Sequence, residues 1–506
     1  MTATQYDAAR SELLARLQEV DDLSAAADIL HWDQATYMPP GGAAARARQS
    51  ATVRTLAHNK FTDPAIGRLL DTMQPAVDSM PYDSDDAALV RVTRRDYDQA
   101  TRIPAQFMSD FTAHISDSFV AWAAARPQND FKAVAPYLAK TLDFSRRYSS
   151  YFPDAEHVAD PHIARSDFSM TVATIRPIFN ELRTWLSELA AKIGERRQVP
   201  DITRGRSFDP TAQWQFGEEV VQRFGYDFAR GRQDKTHHPF ATKFSIGDVR
   251  ITTRVFTDTI SGIFSTMHES GHAMYEQGVD PSYEATPLAD GASSAVHESQ
   301  SRLWENIVGR SLPFWRHFYP QFQQKMSGQL DDVSLTDFYR AINRVQPSLI
   351  RVDADEVTYG LHVIIRFELE CDLLEGKLRI SELPDAWNAK YAEFLGVRPK
   401  DYRNGVMQDV HWYADYIGGM FQGYALGNVL GAQFYDAALQ AHPEIPGEIE
   451  AGRFDILHDW LRTNIYRHGC KFTTLELVER LTGGPIRLEP YKKYLQTKYA
   501  DIYGVR

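Results

Sequence analysis

Apolar positions recur at three- and four-residue intervals along most of the chain, the spacing that lines one face of a helix. The first such stretch runs from about Gln5 to Leu30 and is followed by His31-Trp32-Asp33 and a break at Met38-Pro39-Pro40-Gly41-Gly42. An Ala- and Arg-rich helix is expected from Ala43 to His58. Pro64, Pro81, Pro104 and Pro127 punctuate the next region, where Ser84–Thr101, Pro104–Ala125 and Asn129–Phe152 carry helical patterns. Thr171–Gly194 places Ile175, Phe179, Leu182, Leu186 and Leu189 on one face, with Pro177 in the opening turns, where proline is tolerated. Between Arg204 and Phe256 the pattern changes: Gly, Asp and Pro are dense, and Asp248–Arg254 is β-branched and alternating, which predicts a short strand or hairpin. Helices are expected again at Ser293–Gly309, Pro313–Ser327, Ser334–Val345, Ala354–Leu374 and Ile380–Leu395. The remainder, through the Gly-rich Tyr416–Gly431, reads as mixed but mostly helical. With no repeat, low-complexity linker or charge block, the expectation is one mostly α-helical domain over residues 1–506.

One segment carries chemistry as well as pattern. Asp258–Gly278 reads as a helix with an N-cap at Asp258 and a stop at Gly278, and Ile260, Ile263, Phe264, Met267, Gly271 and Met274 form its buried stripe. His268 and His272 lie one turn apart beside that stripe, so both imidazoles can reach one metal ion, with Glu269 at the next position around the helix. Catalytic zinc usually takes three protein ligands and keeps a place for water. His297-Glu298-Ser299-Gln300 is the candidate source of the third, because Gly278, Pro281, Pro287 and Gly291 can turn the chain back. Glu298 is favoured, since two His and a carboxylate form a catalytic ligand set; His297 competes on spacing alone.

The composition narrows the partners. Of 506 residues 43% are apolar and 24% charged, as in an ordinary soluble globular protein. A formal charge of −12 argues against nucleic acid and anionic membrane surfaces, which demand basic patches. Cys371 and Cys470 are too few for a disulfide framework and are expected to be buried apolar residues. No apolar run reaches the ~18 residues of a membrane span, and no basic-then-apolar leader opens the chain, so the expected location is the cytoplasm.

Several further motifs occur in order: His31-Trp-Asp and Thr36-Tyr-Met-Pro, His238-Pro-Phe240, Asp248-Val-Arg-Ile-Thr252, Ile350-Arg-Val-Asp-Ala-Asp355, Gly405-Val-Met-Gln-Asp-Val-His-Trp412 and Tyr424-Ala-Leu-Gly-Asn428. Together with His268-Glu-Ser-Gly-His272 and His297-Glu-Ser-Gln300, they make nearly the whole chain resemble the carboxypeptidase Taq family of metallocarboxypeptidases. The resemblance implies a two-lobed helical fold with a deep groove, similar to neurolysin and angiotensin-converting enzyme. It also implies homodimers and one divalent metal, zinc or cobalt. His268, His272 and Glu298 are its implied ligands and Glu269 its catalytic carboxylate.

The expected reaction removes single residues from peptides with a free C-terminus; an endopeptidase or oligopeptidase on the same fold is the alternative. Glu269 would move the proton, and Tyr424 or His411 would hold the oxyanion. The resemblance implies that Arg351 binds the terminal carboxylate, for which its planar fork is suited, with Gln408 and His411 closing the groove; His238 is expected to touch substrate. Arg351 could instead form an ion pair with Asp353 or Asp355. Asp248, Arg250 and Thr252 are expected to support the ligands, His31, Trp32 and Asp33 to pack the N-terminal helices, and Phe314, Trp315 and Phe318 to form a core cluster.

Overall fold

The computed structural model describes residues 3–505. Its first helix, Ala3–Thr36, runs six residues beyond the expected end, because nothing before Pro39 interrupts it and Trp32 finds a buried place. The Pro40–Gly42 turn then reverses the chain into Ala43–Phe61. Asp33 pairs with Arg46 at 2.7 Å and the Trp32 ring lies under Arg250, so this motif does join the first two helices and the sheet. Pro64–Val77 and Asp85–Arg102 complete an N-terminal layer with its own core of Leu13, Leu17, Ile66, Leu70, Met73 and Val90. Their starts are fixed by Asp63 and Ser84, which accept the amides of Ala65 and Ala87.

The main core lies behind these helices. Val172–Gly194, capped by Thr171, buries the five expected apolar positions. Phe314, Trp315 and Phe318 form the expected cluster on Leu312–Lys325, and both cysteines are buried. Among the described residues, no helix is long and apolar enough to cross a membrane.

The β signal belongs to a three-stranded sheet of order β1-β3-β2, comprising β1 Gln233–Lys235, β2 Ala241–Ser245 and β3 Asp248–Thr253. β2 and β3 form the expected antiparallel hairpin, while β1 adds a parallel edge with Gln233 opposite Ile251. Val249 and Ile251 are buried, and the chain leaves β3 almost directly into the helix of the two histidines. That helix is Ser261–Gln277, three residues shorter at its start than expected. Asp258 does not cap it: Thr259 Oγ1 accepts the Ser261 amide, and Ile260 turns into the core. The stop at Gly278 and the whole apolar stripe are as the pattern predicts.

Glycines set how closely the neighbouring helices approach. A Cβ at Gly271 would lie 2.6 Å from the backbone of Gln300 and Ser301, which marks where Ser294–Arg302 crosses the histidine helix. On its other side, Gln422–Ala441 presents Gly423, Gly427 and Gly431, one per turn, to the same short helix. A Cβ at Gly427 would lie 2.5 Å from Cγ of Glu298. Ser294–Arg302 is therefore held between two helices at backbone contact. It continues into a π-helical turn, Leu303–Val308, a widening that occurs often at functional sites.

Candidate metal centre and active site

His268 and His272 project from one face with ring centroids 5.0 Å apart. Each is turned by what its Nδ1 finds. His268 Nδ1 lies 2.9 Å from Oε2 of Glu305, on the π-helical turn, and His272 Nδ1 lies 2.8 Å from Nδ1 of His297. Both Nε2 atoms consequently face Oε2 of Glu298, at 3.7 and 3.5 Å. Ligand atoms on a tetrahedral ion with bonds of ~2.0–2.1 Å stand ~3.3 Å apart, so these separations fit a divalent metal with little movement. One donor atom from each of His268, His272 and Glu298 lies within 4.8 Å of the others. Spacing alone left His297 competing with Glu298; in the structure His297 stands behind His272, on the Nδ1 side of its ring.

Two carboxylates at the site, Glu298 and Glu305, are held ionised. Burial pushes the Glu298 carboxyl up, but Arg302, whose Nε donates to Oε1 at 2.7 Å, and His268 outweigh it and hold it well below the usual range. Burial likewise opposes ionisation of Glu305, and His268, Arg302 and Arg310 outweigh it. Burial also lowers His272 to about 4, so it stays neutral. In His268 burial is outweighed by Glu298 and Glu305, and its pKa rises. Glu269, buried between the two ligands on the helix, is pushed up to about 7 by desolvation.

The site opens into a cavity of about 740 Å³ lined by His268, Glu269, Glu298, Arg351, His411 and Tyr424, with His238 and Pro239 at its edge. A second cavity, of about 690 Å³, shares Thr259, Phe264, Arg302, Glu305 and Tyr359 with it, so a groove runs on past the metal centre. Arg351 is 5% exposed and donates to Asp409 Oδ1 from Nε and Nη2 at 3.2 and 3.0 Å. Neither Asp353 nor Asp355 is its partner: Asp355 instead caps the next helix, Glu356–Leu374, accepting from Val357 and Thr358. Asp409 is shared with Arg366 Nε at 2.5 Å, so two guanidiniums divide one carboxylate and the group keeps a net positive charge behind the cavity.

The remaining candidates take different places. Gln408 engages both ends of its amide with protein: Oε1 accepts from the Arg351 amide and Arg366, while Nε2 donates to the carbonyls of Leu349 and Asn404. It shapes the Arg351 loop from behind. His411 packs on Phe421, and burial lowers it to about 4. Burial raises the Tyr424 hydroxyl, which keeps its proton. His238 bonds its own neighbour's carbonyl, Pro239 O, at 2.8 Å. Asp248, Arg250 and Thr252 do not support the ligands as expected. Arg250 pairs with Asp248 and stacks on Trp32 and Phe244, and Thr252 bonds Phe240, so their contacts stay within the sheet and its packing. Lys243 of β2 is the sheet residue that reaches the site's surroundings, donating to Glu276 at 2.9 Å.

Sequence reasoning passed over Arg302, Glu305, Glu276 and Lys243. A signal existed for two of them: Arg302 and Glu305 stand four and seven residues after Glu298, on the same helical face.

Comparison with known proteins identifies the family. The profile of the Carboxypeptidase Taq (M32) metallopeptidase family matches residues 12–499. Thermostable carboxypeptidase 1 of Thermus thermophilus is 40% identical, the match covering 98% of this chain and 99% of the relative. Carboxypeptidase 1 of Bacillus subtilis is 34% identical over 97% and 98% of the two chains. Among solved structures, the M32 carboxypeptidase from Deinococcus radiodurans superposes with a TM-score of 0.95 at 46% identity, covering 98% of this chain and 100% of the other.

Proposed function

The chain belongs to the carboxypeptidase Taq (M32) family of metallopeptidases and is a metal-dependent carboxypeptidase, and from that premise we propose how its residues divide the work. His268, His272 and Glu298 hold one divalent ion. The observation that carries this is the convergence of two imidazole Nε2 atoms on one carboxylate oxygen at 3.5–3.7 Å, inside a cavity that also contains Glu269 and Arg351. Two nitrogens and one carboxylate make a catalytic zinc set, and cobalt accepts the same donors. An ion bound there supplies Lewis-acid polarisation of a carbonyl and acidification of a water.

The protein side chains do the rest. Glu269 takes the proton of the attacking water and delivers it to the leaving nitrogen. Tyr424, which stays protonated, and neutral His411 are the donors for the developing oxyanion. Arg351 receives the substrate's terminal carboxylate. Asp409 fixes its fork and, being shared with Arg366, leaves positive charge for the substrate to neutralise. Substrates on this reading are peptides with a free C-terminus, cleaved one residue at a time.

The test is time-resolved mass analysis of a peptide and of its C-terminal amide, each with and without chelator. Stepwise loss of terminal residues from the free acid, with the amide cleaved at most slowly and both abolished by chelator, is the expected result. Internal cleavage of both peptides would overturn the assignment of Arg351 and of exopeptidase action.

A further inference from the structure

The two metal-facing histidines are backed differently. His268 reaches a carboxylate directly, through Glu305. Behind His272 stands another imidazole, and the hydrogen-bond logic from there outward has one solution. If Nε2 of His272 offers its lone pair to the ion, its proton sits on Nδ1. His297 Nδ1, 2.8 Å away, must then be bare and accept that proton's hydrogen bond. The His297 proton is thereby confined to Nε2, which lies 2.6 Å from Oε1 of Glu276. The other oxygen of Glu276 accepts from Lys243 Nζ at 2.9 Å, and Lys243 also donates to Ala289 O and pairs with Asp290.

We propose that His297, Glu276 and Lys243 form a directional relay that fixes the tautomer of His272 and raises the metal affinity of the site. This rests on the ligand assignment above. Outer partners of this kind orient a metal-binding imidazole and increase its basicity, and their removal typically weakens metal binding ~10- to 100-fold. The relay is a built feature, since the His297 ring has no room to turn away. Tyr275 lies against it at 5.0 Å between centroids and accepts the Ala292 amide through its hydroxyl. A Cβ on Gly291 would come within 2.6 Å of His297 Cδ2, so the loop fits the ring only as glycine. The side chains of His272, His297, Glu276 and Lys243 are all at most a quarter exposed, so each contact of the relay is made largely away from solvent. The small sheet thus contributes to the site through Lys243, a strand residue that touches neither ligand nor cavity.

The experiment is a zinc titration of the full chain, stripped of metal, against a competing chelator, with folding checked by circular dichroism. His297→Leu, which has no acceptor, is expected to weaken zinc binding ~10- to 100-fold. His297→Asn places an oxygen where Nδ1 stood and should stay within about threefold of wild type on this proposal, because the tautomer of His272 is still fixed. Glu276→Gln should weaken zinc binding in the wild-type background, where it no longer confines the His297 proton to Nε2, but change nothing further in His297→Asn, whose amide oxygen accepts from His272 without help from Glu276. Equal effects of Glu276→Gln in both backgrounds, or wild-type affinity in His297→Leu, would overturn the relay. His272→Ala separates the two levels. If that variant keeps wild-type affinity, the ligand assignment itself fails; if it loses zinc while His297→Leu does not, the relay alone fails.

Discussion

Replacing Arg351 by alanine tests whether the chain end is read by a buried guanidinium. Arg351 is 5% exposed and faces the cavity that holds His268, Glu269 and Glu298. A charge-assisted hydrogen bond formed there contributes ~1.5–3 kcal/mol, which at ~1.4 kcal/mol per decade is a roughly 10- to 150-fold loss of kcat/KM for free-acid peptides. Burial places the expectation in the upper half of that range, since water cannot replace the lost donor. The fold should survive, because Asp409 keeps Arg366 at 2.5 Å and is not left as an unpaired buried charge. Peptides with an amidated end never used the charge, so their slow cleavage should change less than about threefold. Paired kinetics on one peptide in both forms, followed by mass spectrometry, gives the ratio directly. Arg351→Lys should recover only part of the loss, because an ammonium keeps the charge and loses the fork. An equal fall for acid and amide would refute the reasoning and reduce Arg351 to a structural partner of Asp409.

Three other perturbations follow from the same contacts. Glu269→Gln should retain metal by elemental analysis and lose ~10²- to 10⁴-fold in kcat; full activity would remove Glu269 from the proton path. Gly427→Ala forces a Cβ against Glu298 Cγ, so it should cost ~1–3 kcal/mol in unfolding and weaken zinc binding by pushing the third ligand off its position; unchanged affinity would show that the helix contact has slack. Glu370, buried and accepting from Trp412 at 2.7 Å, is pushed by desolvation from its usual 4.5 up to about 7. The folded chain therefore holds a proton that the unfolded chain has released between those values. That contribution is complete below pH 4.5, falls as pH rises through 7, and amounts to ~3 kcal/mol in all. Urea unfolding of metal-free protein at pH 5 and pH 8 should show wild type losing ~3 kcal/mol relative to Glu370→Gln, and parallel pH profiles would contradict it.

The helices of this fold and the His268/His272 pair were legible because periodicity is local. A face repeats every few residues whatever it packs against, so Thr171–Gly194 and Asp258–Gly278 could be read within a turn of their observed ends. Errors came where a distant partner decided the outcome. Asp258 has the right chemistry for a cap, yet the chain leaving β3 must first bury Ile260, and the helix starts after it. Arg351 has acids two and four residues away, but Asp355 is engaged by the amides of the next helix and the pairing falls to Asp409, 58 residues on. β1 is three residues long and pairs in parallel with a strand more than ten residues away, which leaves no alternation to detect. The Asp248–Thr252 motif, expected to support the ligands, is turned by strand geometry toward Trp32 and Phe240.

The proposed third ligand, Glu298, shows how far a local pattern can be carried. Spacing offered both His297 and Glu298, adjacent residues that a helix points about 100° apart. What selects between them is the packing of Ser294–Arg302 between two glycine surfaces. Gly271 admits the backbone at Gln300 and Ser301 from one side, and Gly427 admits Glu298 from the other. With both contacts made at backbone distance, the short helix has little freedom to rotate, and its rotation is what directs Glu298 to the Nε2 atoms while leaving His297 behind His272. The donor atoms name the chemistry, but residues with no side chain determine which of the two neighbours faces the paired histidines. A search for metal sites by donor spacing therefore gains discrimination by also asking for glycines at one-turn intervals on the helices that must flank the third donor, as Gly423, Gly427 and Gly431 do here.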